Sequence, residues 1–135
     1  MAEAQTIMDR LVGQRLAILV ESRGRLAFAS DRRGLEPFRQ LVRQRPELLD
    51  GADVAIPAVG LGVAFLLIGL KVGRVFSRTI THEAHKAFDA EGIEHHAQER
   101  LKRLPADEPL GGLDERARTA PTMLAFVEEL KQQAT

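Results

Sequence analysis

The sequence predicts a single α/β domain in which a mixed sheet of about five strands carries helices on both faces. Three observations predict it. Short apolar runs alternate with stretches of helical period along most of the chain. Two early runs are separated by a turn too short for a crossover, and the later runs are separated by helices, which forces their strands parallel. With 135 residues, the chain has room for one such core and none for a second independent domain.

The elements follow in order. Residues 2–12 place Ala4, Ile7, Met8 and Leu11 at helical spacing, and the helix is expected to end near Gly13. Residues 15–21 and 25–30 are short apolar runs divided by Ser22, Arg23 and Gly24, the mark of a β-hairpin. Over residues 35–45, Leu35, Phe38, Leu41 and Val42 repeat with helical period, and Pro37 sits in the first turn, where its missing N–H costs no hydrogen bond. Residues 46–51 close that helix, and 53–59 read as a buried strand in which Pro57 suggests an edge or a bulge.

From Gly60 to Leu70 there is almost no polar residue, so a helix buried on most of its surface is expected, ending at residues 71–73. Residues 54–70 are uncharged, but this stretch falls short of the ~20 residues that span a bilayer, and Pro57, Gly60, Gly62 and Gly69 divide it into a strand and a helix. Residues 74–80 predict another strand, Thr81 a helix N-cap, residues 82–91 a helix closed by Gly92, and residues 93–97 the last strand. The chain then divides into an α/β domain over 1–104, a connector over 105–120 containing Pro105, Pro109, Gly111 and Gly112, and a C-terminal amphipathic helix over 121–133. That helix carries Met123, Leu124, Phe126, Val127 and Leu130 as one stripe, which must be buried on the same domain or on a neighbouring protomer; a homodimer is expected.

Composition narrows the function classes. The absence of cysteine excludes disulfides, thiolate nucleophiles and Cys-ligated metal sites, and points to a reducing compartment. Residues 1–5 lack the basic start and apolar run of a secretory signal, so a cytoplasmic location is expected. Nineteen basic residues balance nineteen acidic ones, which gives no global field to draw nucleic acid or a membrane surface. The distribution is uneven: between Gln14 and Arg45 stand eight arginines against Glu21, Asp31 and Glu36. Guanidinium forks of this kind suit phosphate or carboxylate, although solvated helix faces carry them too.

Several sequence words, in order, resemble one family. Ser30-Asp31-Arg32-Arg33-Gly34 followed by Pro37, the strand-to-helix junction Val59-Gly60-Leu61-Gly62, and Thr81-His82-Glu83-Ala84 running to Gly92-Ile93-Glu94 are similar to the pattern of small uncharacterised prokaryotic proteins of the cytidine-deaminase-like fold. The resemblance covers roughly residues 14–104, and it implies a three-layer sandwich. The chain departs from the pattern at Ile56-Pro57, where an acidic-basic pair is expected, and at Leu61, where a Lys is expected. Ala120-Pro121-Thr122-Met123 echoes the usual ending without its cysteine. Zinc deaminases hold their metal at two helix starts through a His or Cys beside a Glu, and through two Cys. The resemblance puts Arg33-Gly34-Leu35 and Gly60-Leu61-Gly62 at those places, so it implies the fold without the zinc.

Other chemistry is sparse. The four histidines lie between Thr81 and His96. His82 and His85, three apart beside Glu83, could touch one ion, but a solvated first helical turn explains them better, and no resident metal or cofactor is expected. Ser30, Ser77 and Thr79 have no base near them in sequence. What remains are helix N-termini following strand ends at Gly34, Gly60 and Thr81, which offer unpaired N–H groups to an anion. The expected function is therefore a metal-independent, non-catalytic small-ligand domain for a nucleotide-like or other anionic metabolite, bound by Ser30, Asp31, Arg32, Arg33, Gly34, Gly60, Gly62, Thr79, Thr81 and His82. A structural or partner-binding homo-oligomer is the second reading, and a divergent enzyme using His82 or His85 the third.

Overall fold

Two strands and a tight turn start the sheet. Arg23 and Gly24 both take positive φ, the backbone of a type I′ turn, whose twist matches that of its flanking strands. The turn joins β1 (Ile18–Ser22) to β2 (Arg25–Ser30) antiparallel. In this computed structural model the described residues are 2–34, 36–105, 107–108, 110 and 112–133. Leu35, Pro109 and Gly111, singled out above, lie outside them, as do the side chains of Ala4, Arg39, Val42 and Arg43.

Strands β3 (Asp53–Val59), β4 (Arg74–Thr81) and β5 (Glu94–Leu101) complete the sheet in the order β2-β1-β3-β4-β5. β1 runs antiparallel to β3, while β3, β4 and β5 are parallel. The crossovers are α3 (Leu61–Gly69) and α4 (His82–Glu91), and α2 (Glu36–Gln44) links β2 to β3 through a 3-10 turn at Pro46–Leu48. The sheet is thus the mixed five-stranded one that the element order predicts, with helices on both faces.

Alternation along the strands sorts the faces. Leu19, Ala55 and Phe76 join Ile7, Met8 and Leu11 of α1 (Ala2–Gly13) in one small core. Val20, Val54, Ile56 and Val75 face the other way, into the main core with Phe38 and Leu41 of α2, the buried residues of α3, and Ala84 and Phe88 of α4. α3 is apolar all round because it is covered on both sides: the sheet lies beneath it, and α5 (Gly112–Thr119) and α6 (Met123–Gln133) pack above. Phe126 meets Phe65 edge-on at 5.9 Å, a favourable ring geometry.

Several boundaries differ from expectation, each for a physical reason. β1 begins at Ile18, not at residue 15, because Arg15 has φ 54° and closes α1, with Leu16 N–H bonded to Leu11 O at 2.9 Å. That pattern is a Schellman cap, with an arginine where glycine is usual. Pro57 lies in a central strand and not at an edge. Pairing with β1 stops at Leu19–Ala55, and the β3–β4 register skips the Pro57 level, so the missing N–H is accommodated where the ladder is already interrupted. β5 runs on to Leu101, beyond the expected residue 97; its polar composition on both faces hid an edge strand.

The stretch 105–120 read as a connector carries a helix, α5. Its apolar signal is only Leu113 and Ala117, both buried, too few to show as a stripe. α6 buries Phe126, Val127 and Leu130 against α3 and α2 of the same chain, while Leu124 of the expected stripe stays exposed. No helix among the described residues is long and apolar enough to cross a membrane.

Candidate functional site

A crevice of about 470 Å³ opens at the carboxyl ends of the central strands. It exists because β1 parts from β3 after Leu19–Ala55, leaving the end of β3 unpaired on that side. Open α/β sheets accept ligands at such strand ends, and the volume is that of a small-molecule site. Ile56, Pro57 and Ala58 of β3 form its floor, Leu16 and Phe38 add apolar wall, and Arg78 and Thr79 of β4 stand beside them.

Four arginines line this crevice: Arg15 from the cap of α1, Arg32 and Arg33 from the loop after β2, and Arg78. All four are exposed, and among the described residues none of these guanidiniums makes an ion pair or a hydrogen bond with a carboxylate. Glu108 is the acid on the opposite wall; burial pushes its pKa up, against the smaller opposing pull of its own chain's Leu110 backbone bond and of Arg33. A carboxyl held toward its neutral form repels an anionic guest less than an ionised one does.

The residues expected to bind a ligand therefore divide into separate places. Asp31, Arg32, Arg33, Gly34 and Thr79 meet in the crevice. Ser30 shapes the loop instead: its Oγ accepts the Arg32 backbone N–H at 3.1 Å. Thr81 is fully buried and caps α4, with Oγ1 accepting the Ala84 N–H at 3.2 Å.

Gly60 and Gly62 are approached closely, but by the chain itself. The Asp114 carboxylate of α5 accepts the Gly62 N–H at 2.9 Å. A Cβ on Gly60 would fall on that carboxylate, and one on Gly62 would fall on Leu113. Gly60, as N-cap, supplies no side chain, so the anion that the start of α3 attracts comes from 52 residues further on. Asp114 is buried, and its burial raises the pKa of the carboxyl against the stabilising Gly62 N–H. Arg118 ties the other end of α5 to α4 through a forked pair with Glu83, with bonds of 2.6 to 3.0 Å, and that guanidinium holds the Glu83 carboxyl below its ordinary range.

His82 lines a second cleft of about 680 Å³ with Glu83, Lys102, Arg103, Asp114 and Arg118. His85 is directed elsewhere, toward His95 of β5, with 2.7 Å between ring nitrogens. Sequence reasoning missed Arg15, Arg78, Glu108, Asp114 and the His85–His95 pairing. Arg15, Glu108 and Asp114 belong to elements remote in sequence from their neighbours in the site, so no local pattern announces them, whereas Arg78 stands next to the expected Thr79 and His95 ten residues after His85.

The family model TM1506, a domain of unknown function (DUF1893), matches residues 5–102. The crystal structure of a DUF1893 family protein, TM1506 from Thermotoga maritima, is similar with a TM-score of 0.81 at 18% identity, covering 96% of this chain and 88% of that chain. No curated protein matches the chain.

Proposed function

Given that the chain belongs to the DUF1893 family, a domain of unknown function, we infer from its own site that it is a binding domain for a small anionic, nucleotide-like metabolite, held in the crevice at the end of β3. The observation that carries this reading is the set of four exposed guanidiniums, Arg15, Arg32, Arg33 and Arg78, around one concave, partly apolar space, none of them in an ion pair among the described residues. Arginine forks fit phosphate and carboxylate oxygens. Leu16 and Pro57, both part-exposed, offer the apolar surface that a base or other flat group would cover, with the buried Phe38 and Ile56 behind them. Thr79 is the hydroxyl of the expected set that lines this space, alongside the carboxyls of Asp31 and Glu108.

The element order of hairpin, helix and then strands joined by helical crossovers supports the deaminase-like reading of the fold. In that reading the helix start that would carry metal ligands is instead Gly60-Leu61-Gly62, closed by Asp114.

The test is thermal unfolding against a panel of inorganic phosphate, nucleoside mono- and diphosphates and citrate at matched ionic strength, since a guest binding only the folded chain raises its apparent stability. At least one phosphate-bearing compound should raise Tm in a concentration-dependent way, and Arg33→Ala or Arg78→Ala should weaken its binding about tenfold or more. A flat response across the panel, or shifts indifferent to both substitutions, defeats the reading.

A further inference from the structure

A second site lies on another part of the molecule, between α4 and β5. His85 and Asp89 stand one turn apart on α4, and His95 of β5 faces them; one donor atom from each lies within 4.8 Å of the others. His95 is held in place: Phe88 lies against its ring at 5.3 Å, and its side chain is only 10% exposed. Asp89 is largely exposed, so the cluster opens to solvent on that side.

Counting protons among these groups shows what is missing. The Ile93 carbonyl, 2.9 Å from His95 Nδ1, can only accept, so Nδ1 carries the hydrogen and Nε2 of the neutral ring presents a lone pair. That lone pair faces His85 Nδ1 at 2.7 Å, which therefore carries a hydrogen if His85 is neutral. His85 Nε2 is then bare, 3.1 Å from Asp89 Oδ2, and two acceptors oppose each other. One positive charge resolves the conflict, either a proton or a metal ion.

We propose that His85, His95 and Asp89 form a binding site for a first-row divalent cation of the zinc class. His95 Nε2 and His85 Nδ1 supply two nitrogens, and Asp89 Oδ1, 3.8 Å from His95 Nε2, supplies the oxygen. The proton leaving His85 Nδ1 is taken up at His85 Nε2, so the ligating ring stays neutral. Two imidazoles and a carboxylate are a normal zinc donor set, with bonds near 2.0 to 2.2 Å and a fourth position left to water. The Ile93 carbonyl behind His95 is the outer partner that fixes a ligating tautomer. The expectation of no metal rested on the absence of cysteine and on histidines clustered on one element; the fold brings His95 of β5 to His85 of α4. Arg100, whose guanidinium nitrogen lies 3.4 Å from His85 Nδ1, must swing aside, so its charge opposes the cation.

The experiment is calorimetric titration of the full chain, made without a histidine tag and stripped with chelator, using Zn²⁺ alone. One equivalent should bind. His85→Gln, His95→Gln and Asp89→Asn should each weaken binding about tenfold or more, Arg100→Gln should tighten it, and His96→Gln should leave it unchanged, because His96 stacks on Phe76 and bonds to Glu94. Should His95→Gln fail to fold, the exposed Asp89→Asn decides. No binding, or binding indifferent to Asp89→Asn and His85→Gln, overturns the site.

Discussion

At Arg15 a side chain of the proposed crevice site rides on a backbone that arginine resists. Its φ of 54° is left-handed, where a side chain with a Cβ costs about 1 kcal/mol, and such strain persists at sites where position matters more than stability. Arg15→Gly should therefore leave the chain at least as stable in urea unfolding, by up to about 0.5 kcal/mol, while weakening the crevice ligand. A destabilised glycine variant would show that the cap is not strained. Asp114 makes the opposite bargain, a carboxylate buried in order to cap α3. Its pKa is raised by burial, so the folded chain holds this proton more tightly than the unfolded one. The group's contribution to stability rises as pH falls through the raised folded value, and it levels off below the ordinary Asp range near about 4. Asp114→Asn keeps an oxygen for the Gly62 N–H and should abolish that part of the pH dependence, read as the difference between the two urea profiles from about pH 7 to about pH 4. Asp114→Ala loses the cap and should cost about 1 kcal/mol. Equal pH profiles for wild type and Asp114→Asn would remove Asp114 from the account.

At the scale of elements, α6 shows how a stripe divides between core and solvent. Phe126, Val127 and Leu130 are buried, whereas Leu124 is 66% exposed, although periodicity groups all four. Phe126→Ala should cost about 3 to 5 kcal/mol, because it leaves a cavity against Phe65, while Leu124→Ala should stay within about 0.5 kcal/mol of wild type. Equal effects in chemical denaturation would mean that α6 is not docked in this register. Much of this architecture was legible in the chain. The hairpin, β3, α4 with its Thr81 cap and Gly92 stop, and the all-round apolar α3 each carry a local signal in spacing, capping or turn chemistry. α5 and the outer half of β5 carry almost none, because α5 is held by Asp114 and Arg118 reaching distant partners and β5 pairs along one side only. The crevice was half legible: Asp31, Arg32 and Arg33 are contiguous, but Arg15, Arg78 and Glu108 join them only through the fold.

Across the whole molecule the two ends of the sheet are built differently. At the strand starts Arg74 forks onto Asp53 with bonds of 2.8 and 2.6 Å, reaches Glu94 at 3.9 Å and lies over Phe76, which fastens β3, β4 and β5 at one level. At the strand ends β1 leaves β3 and the ladder lapses at Pro57, and there the crevice opens. Rigidity at one end and access at the other follow from where pairing continues and where it stops. Above the strand ends α5 is held by two polar anchors, Asp114 to the Gly62 amide and Arg118 to Glu83, and by only two apolar side chains in the core, Leu113 and Ala117. An element held this way lifts off more cheaply than the core unfolds. The Gly62 amide, whose acceptor belongs to α5, should therefore trade its hydrogen for deuterium whenever α5 lifts and before the β3–β4 amides do, a built-in clock for the uncovering of the start of α3; equal exchange rates would show that α5 opens only with the core.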